Sequence, residues 1–167
     1  MKVTGERAHL FYVGEDGKAA FSDFELKLKA KTMPKANSGV YFHTRYQAEG
    51  WPSQGYEAQV NSTQSDPKKT GGLYAVVDLW LDTEAFKGGQ TAPFVTVDGQ
   101  GGTRMHVKEA PSKDNRWFDY HIIVQGKKIT LKVDGQTTVE FTEPKGWKGP
   151  NPGMSGRKLG KGTIAFQ

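Results

Sequence analysis

A chain of 167 residues, 35% hydrophobic and 25% charged, is sized for one domain around one substantial core. It contains no cysteine, which excludes disulfides and thiolate metal sites, and no window approaches the ~20 apolar residues that span a bilayer as a helix. The formal charge of +5 raises the question of nucleic acid, yet no nucleic-acid motif accompanies it, and neither a nucleic-acid partner nor a membrane span is expected.

The first segment, MKVTGERAHLFYVGEDG, has no apolar run of signal-peptide length before the turn signal Asp16-Gly17. In FELKLKAK, Phe24, Leu26, Leu28 and Ala30 alternate with Glu25, Lys27, Lys29 and Lys31. That is a strand with one solvated face, and lysines there also discourage edge-to-edge pairing. Val40 and Phe42 alternate with Tyr41, His43 and Arg45; Ala58 and Val60 alternate with Glu57, Gln59 and Asn61. LDTEAFKGG has the makings of one short helical turn, capped by Asp82 or Thr83 and stopped by Gly88. Asp98-Gly99 is a further weak turn signal. In RWFDYHIIVQG, Phe118, Tyr120, Ile122 and Val124 form an apolar stripe. KKITLKVDGQTTVEFTE reads as a hairpin, because Asp134-Gly135 tolerates the positive φ of a type I′ turn and Val139 and Phe141 answer Ile129, Leu131 and Val133. GWKGPNPGMSGRKLGKG is a loop by composition, and GTIAFQ is one more strand. No repeat or linker interrupts residues 1–167, and the reading is a single all-β domain of about eight to ten strands in two antiparallel layers.

Parity selects the candidate residues. With residues 40, 42, 58 and 60 inside, Tyr41, His43, Arg45, Glu57, Gln59 and Asn61 share the outer face of one sheet. A plain solvated face is the bland alternative, but a histidine and a glutamate there can exchange protons. The small residues of NSG permit close backbone approach, and GWPSQGYE brings Trp51 and Tyr56 to the strand rim, where flat rings suit sugar faces. His9, His43, His106 and His121 fall at no metal-binding spacing, with His106 and His121 reading as ordinary strand residues. G-x-S-x-G is absent, and GGQTAPFVTVDGQGG lacks the lysine of a phosphate loop. Neither a metal nor a cofactor is expected.

The segments FSDFELKLKAK, ANSGVYFHTRY, GYEAQVNST, TGGLYAVV, RWFDYHIIVQGKKITLKVDGQTTVEFTEP and GTIAFQ, in that order, resemble the 3-keto-disaccharide hydrolase domain family. The resemblance implies an all-β, two-sheet antiparallel jelly-roll sandwich of the concanavalin-like lectin and glucanase type. It departs from the family at His43, where arginine is common, and at Asn61, where many members carry aspartate. AVVDLWLDTEAFKGGQTAPFVTVDGQGG matches no family pattern, and members usually continue beyond Gln167 with a closing strand, so the domain is expected to lack that last strand. The implied substrates are glycosides already oxidised at the sugar's C3, cleaved by proton abstraction at C2 and β-elimination or net hydrolysis. By the same resemblance Glu57 is the base, His43 and Arg45 are donors (His43 also an alternative base), and Asn37, Tyr41, Gln59, Tyr74 and Trp51 position the substrate. The ligand is then a small saccharide or glycoside, and the location is periplasmic or secreted, or cytoplasmic if no export signal precedes Met1. Two other readings remain open: a non-catalytic carbohydrate-binding module using Trp51, Tyr41 and Tyr56 as platforms with Glu57 as hydroxyl acceptor, and a purely structural sandwich.

Overall fold

The computed structural model describes residues 8–81, 95–98 and 102–167. Eleven strands appear among them: β1 (Leu10–Phe11), β2 (Phe24–Lys31), β3 (Asn37–Thr44), β4 (Tyr56–Asn61), β5 (Val77–Leu81), β6 (Val95–Asp98), β7 (Thr103–Val107), β8 (Trp117–Gln125), β9 (Lys128–Val133), β10 (Gln136–Thr142) and β11 (Thr163–Phe166). The helical turn expected in LDTEAFKGG and the glycine of Asp98-Gly99 lie outside the described residues.

Two sheets form the sandwich. One runs β1-β11-β3-β4, and the other runs β2-β8-β9-β10-β6. Period-two alternation puts Val40, Phe42, Tyr56, Ala58 and Val60 of the first sheet against Phe118, Tyr120, Ile122, Val124, Ile129, Leu131, Val139 and Phe141 of the second. The hairpin turn carries φ 48° at Asp134 and 78° at Gly135, the positive pair that a two-residue connection needs. Two pairings depart from the antiparallel expectation, since β6 joins β10, and β7 joins β5, in parallel.

The outer faces of the two sheets differ. On β2 and its neighbours Lys27, Lys29 and Lys31 are exposed, and Lys29 meets Asp119 at 2.7 Å in a pair of little net value to stability. β4 instead is buried on both sides. Beyond its far edge the chain returns: Gln59 N–H donates to Gly72 O at 2.9 Å, and Tyr74 N–H donates to Glu57 O at 2.9 Å.

The intervening loop is ordered by two side chains. The Asn61 amide donates to Asp66 O and Lys68 O, and its Oδ1 accepts the Gln64 N–H. Lys69 is 2% exposed, and its ammonium donates to Gln64 O and Asp66 O, each at 2.7 Å, and to Asn61 Oδ1 at 3.3 Å. Burial pushes its pKa down, against the upward pull of the Asp66 and Asp114 charges. Lys69→Met removes the donor to Gln64 O and should destabilise the protein by about 1–3 kcal/mol, read from the midpoint of urea unfolding followed by circular dichroism.

Candidate active site

The register pairs Tyr41 with Glu57 and Gly39 with Gln59, so all four residues share the outer face of β3–β4. Glu57 leans diagonally across Gly39: a Cβ there would stand 2.6 Å from Glu57 Oε1 and 2.9 Å from its Cγ. The absence of a side chain at 39 is therefore what lets the carboxylate lie down on the sheet. Arg157 comes from the loop before β11 and reaches it, with Nη2 3.4 Å from Glu57 Oε2 and Nη1 3.4 Å from Gly55 O. Its guanidinium lies 5.4 Å from the centre of the Tyr41 ring. Glu57, Arg157 and Tyr41 are 5%, 6% and 1% exposed.

Burial pushes the Glu57 carboxyl up to about 7; Arg157 and the Tyr41 hydroxyl pull it back, while the charges of Asp78 and Asp66 push it further up. Burial and the neighbouring Glu57 charge push the Tyr41 phenol up as well, so its hydroxyl keeps its proton at neutral pH. Asp78, on β5, is raised by burial to about 6 while accepting the Ala75 N–H at 2.9 Å. A carboxyl that titrates near neutrality, beside a fixed cation and a phenol, can take and return a proton at ordinary pH.

Three contacts fix the loop that delivers Arg157. Trp147 Nε1 donates to Arg157 O at 2.6 Å, Leu159 N–H donates to Glu143 Oε2 at 2.6 Å, and Gly160 N–H donates to His43 Nδ1 at 3.2 Å. Gly156 lets the loop sit on the β3–β4 connection, since a Cβ there would lie 2.0 Å from Ser53 O. Glu143 also accepts the hydroxyl of Tyr56 at 2.8 Å.

The expectation that His43 and Arg45 share the face of Glu57 is corrected. The pairing of β11 with β3 slips between Thr163, opposite Thr44, and Ile164, opposite Phe42. His43 is the residue skipped, and it adopts φ 54°. Its ring turns towards Phe24 and Phe42, and Nε2 lies 2.6 Å from Ser22 O. With Nδ1 accepting from Gly160, Nε2 carries the proton, so the ring is neutral and both nitrogens are engaged. Arg45 falls beyond the end of β3 and is exposed.

The remaining candidates divide. Gln59 is buried beside Glu57 and turns its Oε1 to the Val60 N–H at 3.2 Å. Tyr74 is half-buried beneath the Lys68 ammonium, 4.7 Å from its ring centre. Asn37 is exposed opposite Asn61. Trp51 is exposed and meets His9, whose ring also meets Tyr41. Tyr56 lies in the core, not at the rim, because its even parity points it inward. Arg157 and Asp78 escaped the sequence reading; a lone arginine in a glycine-rich loop and an aspartate amid unplaced sequence carry no periodic signal. Among the described residues no group of three His, Cys, Asp or Glu side chains is placed to hold a metal ion.

Fold and site together define a β-sandwich domain with a buried Glu57–Arg157 pair on the outer face of one sheet. The chain belongs to the family of 3-keto-α-glucoside-1,2-lyase-like domains, whose model matches residues 5–167. Two solved structures of Parabacteroides distasonis proteins, described as candidate glycosyl hydrolases, share the fold. One is 19% identical, with 90% of this chain and 72% of that one aligned at a TM-score of 0.58. The other is 16% identical, with 90% and 66% aligned at a TM-score of 0.54. A CBM66 carbohydrate-binding module from Bacillus subtilis matches at 11% identity over 89% of this chain and 68% of that one, with a TM-score of 0.49. No curated protein matches the sequence.

Replacing Arg157 by Met removes the charge that holds the Glu57 pKa down, so its titration midpoint, followed by carboxyl carbon NMR, should rise above about 7. Burial holds the His43 pKa below its ordinary value of 6.5, against the pull of Ser22 O, Asp23 and Glu143. Its contribution to stability is therefore present above that value and lost as pH falls through the lower folded pKa. The stability advantage of the wild type over His43→Leu should shrink between pH 7.5 and 5, measured by urea unfolding at each pH.

Proposed function

We propose that the protein cleaves glycosides bearing a ketone at C3, with Glu57 as the base that removes the C2 proton. The ketone acidifies that proton, and the C–H electron pair passes into an enolate whose charge gathers on the C3 oxygen. Collapse of the enolate forms the C1–C2 double bond and expels the glycosidic oxygen, which takes up a proton. Addition of water across that double bond completes a net hydrolysis. No second, opposed carboxylate is required, in contrast to ordinary glycosidases.

The observation that supports this reading best is the Glu57 carboxyl itself, 5% exposed and raised to about 7 while facing Arg157 at 3.4 Å. Desolvation strengthens a base, and Arg157 and the Tyr41 hydroxyl, which hold Glu57 in the resting site, supply donors for the enolate oxygen. His43 takes no part in the chemistry, because both its nitrogens serve the fold. Only the ionised Glu57 can accept the proton, so turnover rises with pH through a midpoint near 7.

Incubation with 3-keto-glucosides beside the unoxidised glucosides, following release of the leaving group, tests the reading. Release from the ketone alone is expected, with Glu57→Gln slower by about 10²–10⁴-fold. In deuterated water, unreacted ketone should also gain deuterium at C2. Equal turnover by Glu57→Gln, or cleavage of the unoxidised glucoside, would overturn it.

A further inference from the structure

The positive charge of the chain is concentrated in one place. Beyond Glu143, residues 144–162 of the connection from β10 to β11 hold five of the 23 lysines and arginines and none of the 18 aspartates and glutamates. The rest of the chain is therefore formally neutral. Arg157 turns inward to Glu57, and the other four, Lys145, Lys148, Lys158 and Lys161, are exposed.

These lysines are crowded with no acid to answer them. Elsewhere on the surface lysines stand beside carboxylates, as Lys27 does with Glu25 at 2.9 Å, Lys29 with Asp119 at 2.7 Å and Lys128 with Glu140 at 2.8 Å. Among the described residues none of the four forms such a pair. Glu143 is 6% exposed and accepts from Tyr56, Leu159 and Lys127, and Asp23 accepts the Gly126 N–H. The β3–β4 connection, packed against Gly156, carries one acid, Glu49, and one base, Arg45. Like charges gathered without counter-charge oppose the compact state, and a polyanion would relieve them.

The loop is also built to keep them together. Trp147 Nε1 donates to Arg157 O and Leu159 N–H to Glu143 Oε2, each at 2.6 Å, so the limb bearing Lys145 and Lys148 is tied to the limb bearing Lys158 and Lys161. A 3₁₀ turn, Pro152–Met154, closes the tip, and Gly149 lies so near it that a Cβ would stand 2.3 Å from Met154 O. Gly55 N–H donates to Gly156 O at 3.0 Å and fixes the loop to the sandwich. A preformed surface binds without first having to order itself.

We propose that this loop is the docking surface for an acidic polysaccharide, held through its uronate carboxylates. Charge selects a polyanion, and what the loop lacks selects among polyanions. None of the exposed large hydrophobic side chains lies in it, so it has nothing to insert among lipids. Its tryptophan packs on Phe141 at 5.5 Å and gives its N–H to Arg157 O, leaving no ring for unstacked bases. Its exposed cations are all lysines, compact hydrated charges on flexible stems, in place of the planar fork that suits phosphate. The family of saccharide-related domains points the same way. This surface is separate from the chemistry at Glu57: it sets where the domain works, on an acidic matrix, whatever bond the domain acts on there.

The test is calorimetric titration of the whole chain with polygalacturonate. Three comparisons accompany it: the fully methyl-esterified polymer, vesicles of equal parts phosphatidylserine and phosphatidylcholine, and single-stranded oligothymidylate. Polygalacturonate should bind and its ester should not, with affinity falling about tenfold or more between roughly 50 and 200 mM salt. Changing Lys145, Lys148, Lys158 and Lys161 together to Gln should abolish binding and leave the urea midpoint unchanged or higher, because like charges have been removed. Each single Lys→Gln change should weaken binding by a smaller factor. The matched change of Lys27, Lys29, Lys31 and Lys132 to Gln, on the opposite sheet, should weaken it far less. Undiminished binding by the first variant, or equal losses from both sets, overturns the surface. Equal binding of the ester overturns the role of charge, and tighter binding of the vesicles or the oligonucleotide overturns the assignment to a polysaccharide. No binding of polygalacturonate overturns the whole proposal.

Discussion

One desolvated carboxylate organises the outer face of β3 and β4. Glu57 lies flat only because position 39 lacks a side chain, and it is buried with Arg157 against it and the segment around Tyr74 paired along the edge of its strand. The arrangement is a poor stabiliser. Its contact with Arg157 is long, at 3.4 Å, and the acid still titrates near 7 against an ordinary 4.5, so burial outweighs the attraction. Because the folded pKa lies above the unfolded one, this group favours folding most below 4.5 and progressively less as pH rises through 7. Carboxyls perturbed this strongly by burial cluster at functional sites.

The partner of that carboxylate is delivered from a hundred residues away in sequence. Trp147, Glu143 and His43 each hold one backbone group of the segment 157–160; the first two follow β10 and the third belongs to β3. Glu143 ties the segment to a core tyrosine, so a repacking of the core would be felt at the site. His43 performs its part as a neutral ring, which couples the same segment to proton concentration.

Much of the fold was legible in the sequence, and for a simple reason. Strands such as Phe24–Lys31 and Phe118–Val124 bury one face and wet the other, and Asp134-Gly135 writes its turn directly. The parallel pairings of β5 with β7 and of β6 with β10 were not legible, because strand direction in a sheet leaves no mark on alternation. Within the site, Glu57, Tyr41 and Gln59 obeyed parity. His43 did not, since a single skipped residue turns every later side chain to the other face. Arg157 was invisible for the opposite reason: its place is set by three side-chain-to-backbone hydrogen bonds, from Trp147, Glu143 and His43, and not by any periodic rule.

Lys69 carries a consequence of a different kind. A cluster of carbonyl and amide oxygens around a positive charge is the usual lodging of a dissolved metal cation, but here the charge is covalently attached to the chain that supplies the oxygens. A tethered ion has no dissociation constant. Chelators and changes in mineral supply leave it in place, so the loop along the edge of β4 keeps its shape in media where a calcium-dependent counterpart would come apart.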